Sequence, residues 1–207
     1  MCKPKWLFFD LGSTLIDETI AYKYRVLEAI EGSNVTFEQF DEKRIEYAKT
    51  LTAGDKETAK FFGLTLKPWR NDKEKLYDGV FELLTTLKAR GYKLAVLANQ
   101  AKGTCDRLAN WGILHFFDIV LASFEEGLEK PDERFFLKGL KCANCLPSEA
   151  FMIGDRLDND IYPAQKIGFK TVFVKQGVVG PYHEVDSAHT QPDYTIYKLE
   201  QLLEIFR

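Results

Sequence analysis

The hydrophobic residues of this chain fall into short apolar runs separated by segments with helical spacing. Apolar runs without polar alternation lie at residues 6–9, 93–98, 117–121, 150–153, 170–174 and, more weakly, 194–196. Such runs predict strands that are buried on both faces, as in a parallel sheet. Apolar residues with helical spacing occupy the intervening segments, at residues 80–91, 104–111, 132–140, 159–166 and 198–206. Strands that alternate with helices imply right-handed crossovers, and therefore an α/β fold with one parallel sheet between two helical layers.

Residues 17–71 do not follow this alternation, because they show helical spacing and no strand pattern. Three helices are predicted there, beginning at Asp17 or Thr19, at Thr36 and at Lys56. Thr36 and Gln39 have the spacing of a capping box, which supports the start of the second helix. A helical segment of this length is longer than an ordinary crossover from the first strand. We therefore predict a small all-helical cap subdomain at 17–71 and a three-layer Rossmann-like core formed by residues 1–16 and 72–207.

Composition and charge narrow the class of protein. The chain has 207 residues, of which 45% are hydrophobic and 29% charged, as is typical of a soluble globular protein. A formal net charge of -3 and the lack of a long Lys/Arg run argue against a nucleic-acid partner. No apolar stretch approaches the roughly 18 residues that span a bilayer, and the N-terminus lacks the apolar region of a secretory signal. We therefore expect no membrane partner and a cytoplasmic location, whereas the oligomeric state is not indicated.

The cysteines fit that location. Four are present, and Cys142 and Cys145 form a Cys-x-x-Cys pair of the kind found in zinc and redox sites. A second such pair is missing, and His183 and His189 do not have zinc-finger spacing. Structural or incidental thiols are therefore favoured over a metal or redox role.

Polar residues follow several of the predicted strands or begin the next helix. Asp10, Asn99, Lys130, Asp155 and Asp160 all fall at such boundaries. Ligands of an open parallel sheet bind beyond the carboxyl ends of its strands, so these side chains should meet at one edge. Facing carboxylates repel unless a cation lies between them, and hard divalent ions prefer oxygen ligands. With a lysine to hold an anion, the set predicts a site for phosphoryl groups, although each residue alone could simply cap a turn or a helix.

Four short motifs occupy these boundaries. In chain order they are Asp10-Leu-Gly-Ser-Thr14-Leu, the strand ending in Ala98-Asn99, Lys130-Pro131-Asp132, and Gly154-Asp155-Arg-Leu-Asp-Asn159-Asp160. They resemble the four motifs of the haloacid dehalogenase superfamily of hydrolases, in the same order and over nearly the whole chain. The helical segment 17–71 is similar to the cap of the subfamily whose cap lies between the first and second motifs.

The resemblance implies a hydrolase, and more specifically a magnesium-dependent phosphatase of a small phosphorylated metabolite. Asp10 would attack phosphorus and form an aspartyl-phosphate, while Lys130 would neutralise charge on both groups. The implied magnesium ligands are Asp10, the backbone carbonyl of Gly12 and Asp155. The implied phosphoryl-binding residues are Ser13, Thr14, Ala98, Asn99 and Lys130, and the implied outer-shell residues are Asn159 and Asp160. Closure of the cap over the site would exclude water during transfer.

Two positions depart from the family pattern. Phosphatases of the family usually carry a second aspartate two residues after the nucleophile, where this chain has Gly12, and a Ser or Thr where it has Ala98. The second aspartate normally protonates the leaving oxygen, so its loss should cost about 10²–10⁴-fold in rate. Another group would then have to supply the proton, and the candidates are Ser13, Asp17 and the substrate itself.

Three other interpretations stay open. The chain could be a pseudoenzyme or binding protein that keeps the fold and the metal but turns over poorly. It could be a phosphonatase, which also lacks the second aspartate but needs a cap lysine that forms a Schiff base. The candidate lysines are Lys23, Lys43, Lys49, Lys56 and Lys60. A metal-independent dehalogenase is disfavoured, because Gly154-Asp155 resembles a magnesium site.

Overall fold

The computed structural model describes residues 5–52, 54–185 and 188–207 of the chain. The strands are β1 (Trp6–Phe9), β2 (Ile16–Asp17), β3 (Lys75–Leu76), β4 (Lys93–Ala98), β5 (Ile119–Ala122), β6 (Ala150–Gly154), β7 (Lys170–Val174) and β8 (Tyr194–Ile196). The α-helices are α1 (Thr19–Ile30), α2 (Phe37–Lys49), α3 (Gly54–Phe61), α4 (Val80–Ala89), α5 (Thr104–Asn110), α6 (Ser123–Glu126), α7 (Glu133–Ala143), α8 (Tyr162–Ile167) and α9 (Leu202–Ile205). Within these described ranges, no helix has both the length and the apolar character needed to cross a bilayer.

The large sheet is parallel, with strand order β5-β4-β1-β6-β7-β8. β1 lies inside it, paired with β4 on one side and with β6 on the other. The chain runs outward from β1 through β4 and β5, then returns to begin β6 on the opposite side. Such a reversal of strand order opens a crevice at the carboxyl ends of the central strands. The predicted parallel sheet is confirmed, and its crevice lies where Asp10 follows β1.

Both faces of this sheet are covered, as the unbroken apolar runs predict. Leu7 and Phe9 of β1 join one hydrophobic cluster, whereas Phe8 joins another on the opposite face, and all three side chains are fully buried. Helices α4, α5 and α9 contribute to the first cluster, and α7 and α8 contribute to the second. This arrangement is the predicted three-layer α/β core.

The segment after β1 forms a helical layer that has a small core of its own. That core contains Tyr22, Val26, Phe40 and Ala59, contributed by α1, α2 and α3. The predicted capping box is present at the start of α2, where the Gln39 amide donates to Thr36 Oγ1 at 3.2 Å and the Thr36 amide donates to Gln39 Oε1 at 2.9 Å. Helix α3 begins at Gly54, two residues before its predicted start.

A short antiparallel ladder lies where the sequence pattern indicates no strand. β2 and β3 pair at the two ends of the helical layer, with Ile16 opposite Leu76 and Asp17 opposite Lys75. Strands of two residues are too short to show alternation, which explains why they were not predicted. The ladder joins the two points at which the chain leaves and re-enters the large core.

The helical layer contacts the core through Arg44 of α2, whose side chain is almost fully buried. Arg44 Nη1 donates to the carbonyl oxygen of Val178 at 2.6 Å. The guanidinium lies over the ring of Tyr182, 5.1 Å from its centroid. Leu51, just beyond α2, packs against a core cluster that includes Leu157. A covered space therefore lies between the helical layer and the carboxyl edge of the sheet.

The Cys-x-x-Cys pair lies away from this space, with Cys142 in the last turn of α7 and Cys145 just after that helix. Cys105, Cys142 and Cys145 are free thiols, whereas Cys2 lies outside the described residues. Burial raises the pKa of Cys145 to about 11, so little of the reactive thiolate forms at neutral pH.

Candidate active site

The carboxyl ends of the central strands deliver polar side chains to one cavity of about 580 Å³. Asp10 follows β1, Asn99 follows β4 and Asp155 follows β6. The Asp10 amide donates to the carbonyl oxygen of Ile153 at 2.9 Å, which extends the pairing of β1 with β6 by one residue. Asp10 therefore takes its position from the rigid sheet rather than from a loop.

Lys130 is buried at the centre of the cavity floor, with 3% of its surface exposed. Its Nζ donates to Asp10 Oδ1 at 2.6 Å and to Asp160 Oδ1 at 2.5 Å. Burial alone would lower the pKa of Lys130, but the two carboxylates outweigh burial and raise it. The lysine is therefore a fixed positive charge between two carboxylates.

Asn99 holds the backbone of that lysine. Asn99 Oδ1 accepts from the Lys130 amide at 2.7 Å, and Asn99 Nδ2 donates to the Lys130 carbonyl oxygen at 2.8 Å. Both polar ends of the Asn99 side chain are thus bonded to Lys130. The side chain links the end of β4 to the loop before α7 and fixes where the ammonium group lies.

Three carboxylates surround this charge. Oxygen atoms of Asp10, Asp155 and Asp160 lie within 4.8 Å of one another. Burial and the charges of Asp10 and Asp160 raise the pKa of Asp155 well above its usual value. Burial also raises the pKa of Asp160, although Lys130 opposes the shift. One lysine does not offset three buried carboxylates, so this oxygen-rich cluster has the chemistry of a divalent-cation site.

The carboxylate oxygens of this cluster differ in the hydrogen bonds that they accept from the protein. Asp160 uses Oδ1 for Lys130, and its Oδ2 accepts from the Arg156 amide at 3.0 Å. Asp155 Oδ1 accepts a long hydrogen bond from Thr14 Oγ1 at 3.4 Å. Both carboxylate oxygens of Asp160 therefore already accept hydrogen bonds from the protein. This suits a residue that supports the site better than one that binds a metal ion directly.

An acidic side chain that is not among the sequence-predicted site residues also reaches the cavity. Glu18 stands directly before α1, and the residue as a whole is half-buried while its carboxyl end is enclosed beside Ser13 and Gly12. The Ser13 hydroxyl donates to Glu18 Oε2 at 3.0 Å. Burial, reinforced by the charge of Asp10, raises the pKa of Glu18 to about 8. In the sequence, Glu18 is an ordinary acidic residue at a helix start, and no spacing rule sets it apart.

Asp17, a candidate proton donor by its place in the sequence, points to other partners. Its Oδ1 accepts from the Thr19 amide at 3.0 Å, as expected of a residue at a helix start. Its Oδ2 lies 3.7 Å from Lys75 Nζ across the β2–β3 ladder. Among the described residues that line the cavity, Glu18 is present and Asp17 is not.

Comparison with known proteins identifies the family. The model of the haloacid dehalogenase-like hydrolases matches residues 7–174, from β1 to the end of β7. The chain belongs to this family.

Relatives of this haloacid dehalogenase-like hydrolase include named phosphatases. The chain is 31% identical to the glyceraldehyde 3-phosphate phosphatase of Pyrococcus furiosus over 229 residues, covering 99% of this chain and 94% of that protein. It is 34% identical to the pyrophosphatase PpaX of Bacillus velezensis over 130 residues, covering 62% of this chain and 58% of that protein. The crystal structure of a predicted phosphoglycolate phosphatase from Haemophilus somnus shares the fold, with a TM-score of 0.74, 22% identity and coverage of 100% of both chains.

The hydrolase brings most of the sequence-predicted site residues into its cavity. Those that line it are Asp10, Gly12, Ser13, Asn99, Lys130, Asp155, Asn159 and Asp160. Thr14 and Ala98 are fully buried and are not among the described lining residues. Ala98 belongs to a hydrophobic cluster of the core. The contacts predicted for Thr14 and Ala98 with a phosphoryl group would therefore have to come from their backbone.

Gly154, at the end of β6, makes room for Asp160. A Cβ atom at residue 154 would lie only 2.3 Å from Asp160 Oδ2. The chain then forms a π-helical turn at Leu157–Ile161, which is wider than an α-helical turn. Such turns are rare in proteins, and those that occur are often found at functional sites. Close approach of this turn to Gly154 is what brings the Asp160 carboxylate to Lys130.

Gly154→Ala is therefore expected to displace Asp160 and lower the free energy of unfolding by about 1–3 kcal/mol, the usual cost of overpacking a core. The matched control is Gly139→Ala, whose added methyl would meet the Phe8 ring at 3.1 Å, away from the cavity. Denaturant unfolding and a crystal structure of each variant provide the measurement. Equal destabilisation of the two variants, with Asp160 still bonded to Lys130, would contradict this account.

Proposed function

We propose that this hydrolase is a magnesium-dependent phosphatase that acts on a small phosphorylated metabolite through an aspartyl-phosphate on Asp10. The observation that carries the proposal is the buried Lys130 ammonium bonded to Asp10 and Asp160 at the edge of the sheet, with Asp155 beside them. Such a site suits phosphoryl transfer, in which catalysis is mainly positioning and neutralisation of charge. The phosphatase names of relatives that are 31% and 34% identical support the same class of reaction.

Asp10 is the proposed nucleophile. Its Oδ1 is held by Lys130 at 2.6 Å, which orients the carboxylate and offsets part of its charge as a phosphate approaches. A bond forms between an Asp10 oxygen and phosphorus, and the bond from phosphorus to the ester oxygen breaks. Water then attacks the same phosphorus, the Asp10–phosphorus bond breaks, and inorganic phosphate leaves. Lys130 compensates negative charge in both steps without giving up its proton.

The donor set fits magnesium. Asp10, the carbonyl oxygen of Gly12 and Asp155 would hold the ion, because Mg²⁺ prefers oxygen ligands and few carboxylates. Asp160 and Asn159 would support the site from outside, consistent with the two donors already bound to Asp160. Bound magnesium supplies positive charge that masks the phosphoryl oxygens and relieves repulsion among the three carboxylates.

The opposite wall of the cavity comes from the helical layer, which we propose acts as the cap, with bounds 17–71. Arg25 of α1 pairs with Asp55 at 2.8 Å and lies over the ring of Trp69, 5.4 Å from its centroid. Trp69 in turn donates to Glu74 Oε1 at 2.6 Å. This polar and aromatic wall, with a cavity volume of about 580 Å³, suits a small metabolite rather than a polymer. Closure of the cap over bound substrate remains our prediction.

Alternative chemistries of the family find less support. A phosphonatase would need a cap lysine in the cavity. None of the candidate lysines is among the described residues that line it; they are Lys23, Lys43, Lys49, Lys56 and Lys60. Lys43 instead pairs with Glu46 at 2.6 Å on the surface of α2. A dehalogenase has no use for a divalent cation, so it leaves the repulsion within the carboxylate cluster unexplained.

The test is hydrolysis of glyceraldehyde 3-phosphate, glycerol 3-phosphate and p-nitrophenyl phosphate with Mg²⁺ and after chelation by EDTA. We expect release of inorganic phosphate only with the metal, and recovery of activity when Mg²⁺ is returned. Independently of turnover, Mg²⁺ should raise the unfolding temperature, because it binds the native carboxylate cluster. Turnover that survives chelation would contradict the proposal, as would Mg²⁺ binding without hydrolysis of any ester.

A further inference from the structure

The proposed reaction, on which this inference rests, needs a proton transfer in each of its two steps. An alkoxide is a poor leaving group, so the ester oxygen must receive a proton as its bond to phosphorus breaks. The water that attacks the aspartyl-phosphate must then lose a proton. A single carboxyl group near the scissile bond can do both, giving its proton in the first step and taking one in the second.

Most acidic groups of the cavity already have strong partners. Asp55 pairs with Arg25 at 2.8 Å, and Glu74 Oε2 pairs with Arg107 Nη1 at 3.5 Å. Asp160 is bonded to Lys130 and to the Arg156 amide. Glu18 differs, because its hydrogen bond comes from a neutral serine hydroxyl. The Glu18 carboxyl is therefore held by a hydroxyl group and not by an ion pair.

The Glu18 carboxyl fills the space that a side chain at residue 12 would enter. A Cβ atom built on Gly12 would lie 2.6 Å from Glu18 Oε1 and 2.8 Å from Oε2. Gly12 stands two residues after Asp10 and lines the same cavity. A carboxyl group thus lies beside Gly12, in the cavity that Asp10 also lines, even though residue 12 has no side chain of its own.

The surroundings of Glu18 hold its carboxyl in place. Ser13, which donates to it, has a left-handed backbone with φ of 56°. The Ser13 hydroxyl also accepts from the Val178 amide at 3.4 Å. Gly177 approaches so closely that a Cβ there would lie 2.3 Å from Ser13 Cβ. Two loops from opposite ends of the chain therefore fix the serine that orients Glu18.

We propose that Glu18 is a further catalytic residue, which exchanges the proton with the leaving oxygen and with the attacking water. In the first step an Asp10 oxygen bonds to phosphorus, the ester bond breaks, and the Glu18 proton passes to the departing oxygen to give the alcohol. In the second step water attacks phosphorus and loses a proton to the Glu18 carboxylate. The bond from Asp10 to phosphorus breaks, and both carboxyl groups return to their starting forms.

The first test compares Glu18→Gln with the native chain on two classes of ester. Glycerol 3-phosphate has an alkoxide leaving group that needs the proton, whereas p-nitrophenyl phosphate has a leaving group that does not. We expect kcat/KM for the alkyl ester to fall by about 10²–10⁴-fold, and kcat/KM for the aryl ester to change far less. With the aryl ester, the variant should also accumulate phosphoenzyme, detected by intact mass after quenching, because its hydrolysis lacks a base.

Glu31→Gln is the matched control, since Glu31 is an exposed glutamate at the opposite end of α1. It should leave both kcat/KM values unchanged. Unfolding temperatures of both variants check that the fold is intact.

The second test moves the carboxyl group. Glu18→Ala should lose alkyl ester hydrolysis and also vacate the space beside Gly12. Adding Gly12→Asp to Glu18→Ala should then restore kcat/KM for the alkyl ester to within about tenfold of the native value, because a carboxyl returns to nearly the same place. In Gly12→Asp alone, the new side chain must displace the Glu18 carboxyl, so its unfolding temperature should be lower than that of the double variant.

The outcomes separate this inference from the proposed function. Native turnover that is lost in Asp10→Asn but unchanged in Glu18→Gln would overturn the role of Glu18 and leave the phosphatase intact. An equal fall on aryl and alkyl esters without rescue by Gly12→Asp would also overturn it, since a merely structural residue behaves in that way. Absence of hydrolysis in the native chain, with Mg²⁺ bound, would overturn both.

Discussion

Asp10→Asn is expected to lower hydrolysis of phosphate esters by about 10⁴-fold or more, the scale seen when a covalent nucleophile is removed. Asparagine has nearly the same shape as aspartate, and its Oδ1 can still accept the hydrogen bond that Lys130 Nζ makes at 2.6 Å. The amide oxygen is a far weaker nucleophile than a carboxylate, however, so no aspartyl-phosphate forms. The loss should therefore appear in kcat/KM for alkyl and aryl esters alike, unlike the selective loss expected for Glu18→Gln.

Stability and metal affinity should respond in opposite directions to the same substitution. Removing one of three clustered carboxylates relieves repulsion, so the metal-free variant should unfold at no lower temperature than the native chain. Because a ligand charge is gone, Mg²⁺ should bind more weakly and raise the unfolding temperature less. Asp106→Asn, at an exposed position in α5, is the control and should change none of these quantities. Substantial turnover by Asp10→Asn, with no trace of phosphoenzyme in the native chain, would rule out this nucleophile.

The fold could be predicted where the local pattern is strong and long. The runs at β4 and β7 match their predicted bounds, since five consecutive buried residues in β4 and four in β7 leave a clear signal. The β2–β3 ladder could not be predicted, because each strand has two residues and pairs only when the helical layer folds back. The predicted helix at 159–166 begins instead as the wide turn at Leu157–Ile161, which depends on close packing against Gly154.

Some residues of the candidate site could likewise be predicted from local sequence, whereas others depend on contacts between distant segments. Strand ends are local features, so the meeting of Asp10, Asn99 and Asp155 follows from a parallel sheet alone. The bonding of Asn99 to the Lys130 backbone depends on a loop 31 positions away in sequence, which no local pattern encodes. Glu18 was missed for the same reason: its carboxyl reaches the cavity only because Gly12 leaves space and Ser13 is turned toward it. In sequence, Asp17 and Glu18 are equivalent acidic residues at a helix start, and only the folded chain distinguishes them.

Lys130→Met is expected to lower both stability and activity. The substitution keeps an unbranched side chain of similar length but removes the charge between Asp10 and Asp160, and all three side chains are largely buried. Removing one partner of a buried ion pair leaves uncompensated charge, so the free energy of unfolding should fall by about 3–5 kcal/mol. Loss of a charge that stabilises the transition state should lower kcat/KM by about 10²–10³-fold. Lys141→Met, at an exposed position of α7, should leave both quantities near their native values.

Magnesium distinguishes this electrostatic explanation from a simple packing defect. Without Lys130 the three carboxylates have no nearby ammonium group, so Mg²⁺ should raise the unfolding temperature of Lys130→Met more than that of the native chain. A packing defect would lower the unfolding temperature by the same amount with and without the metal. If Lys130→Met does not fold, Lys130→Arg provides the second measurement: its charge should preserve most of the stability, while its larger, planar head should not reproduce both short bonds of the lysine and should lower kcat/KM. Native activity in Lys130→Arg, or a stability loss in Lys130→Met that Mg²⁺ does not reduce, would show that the charge is not what this position supplies.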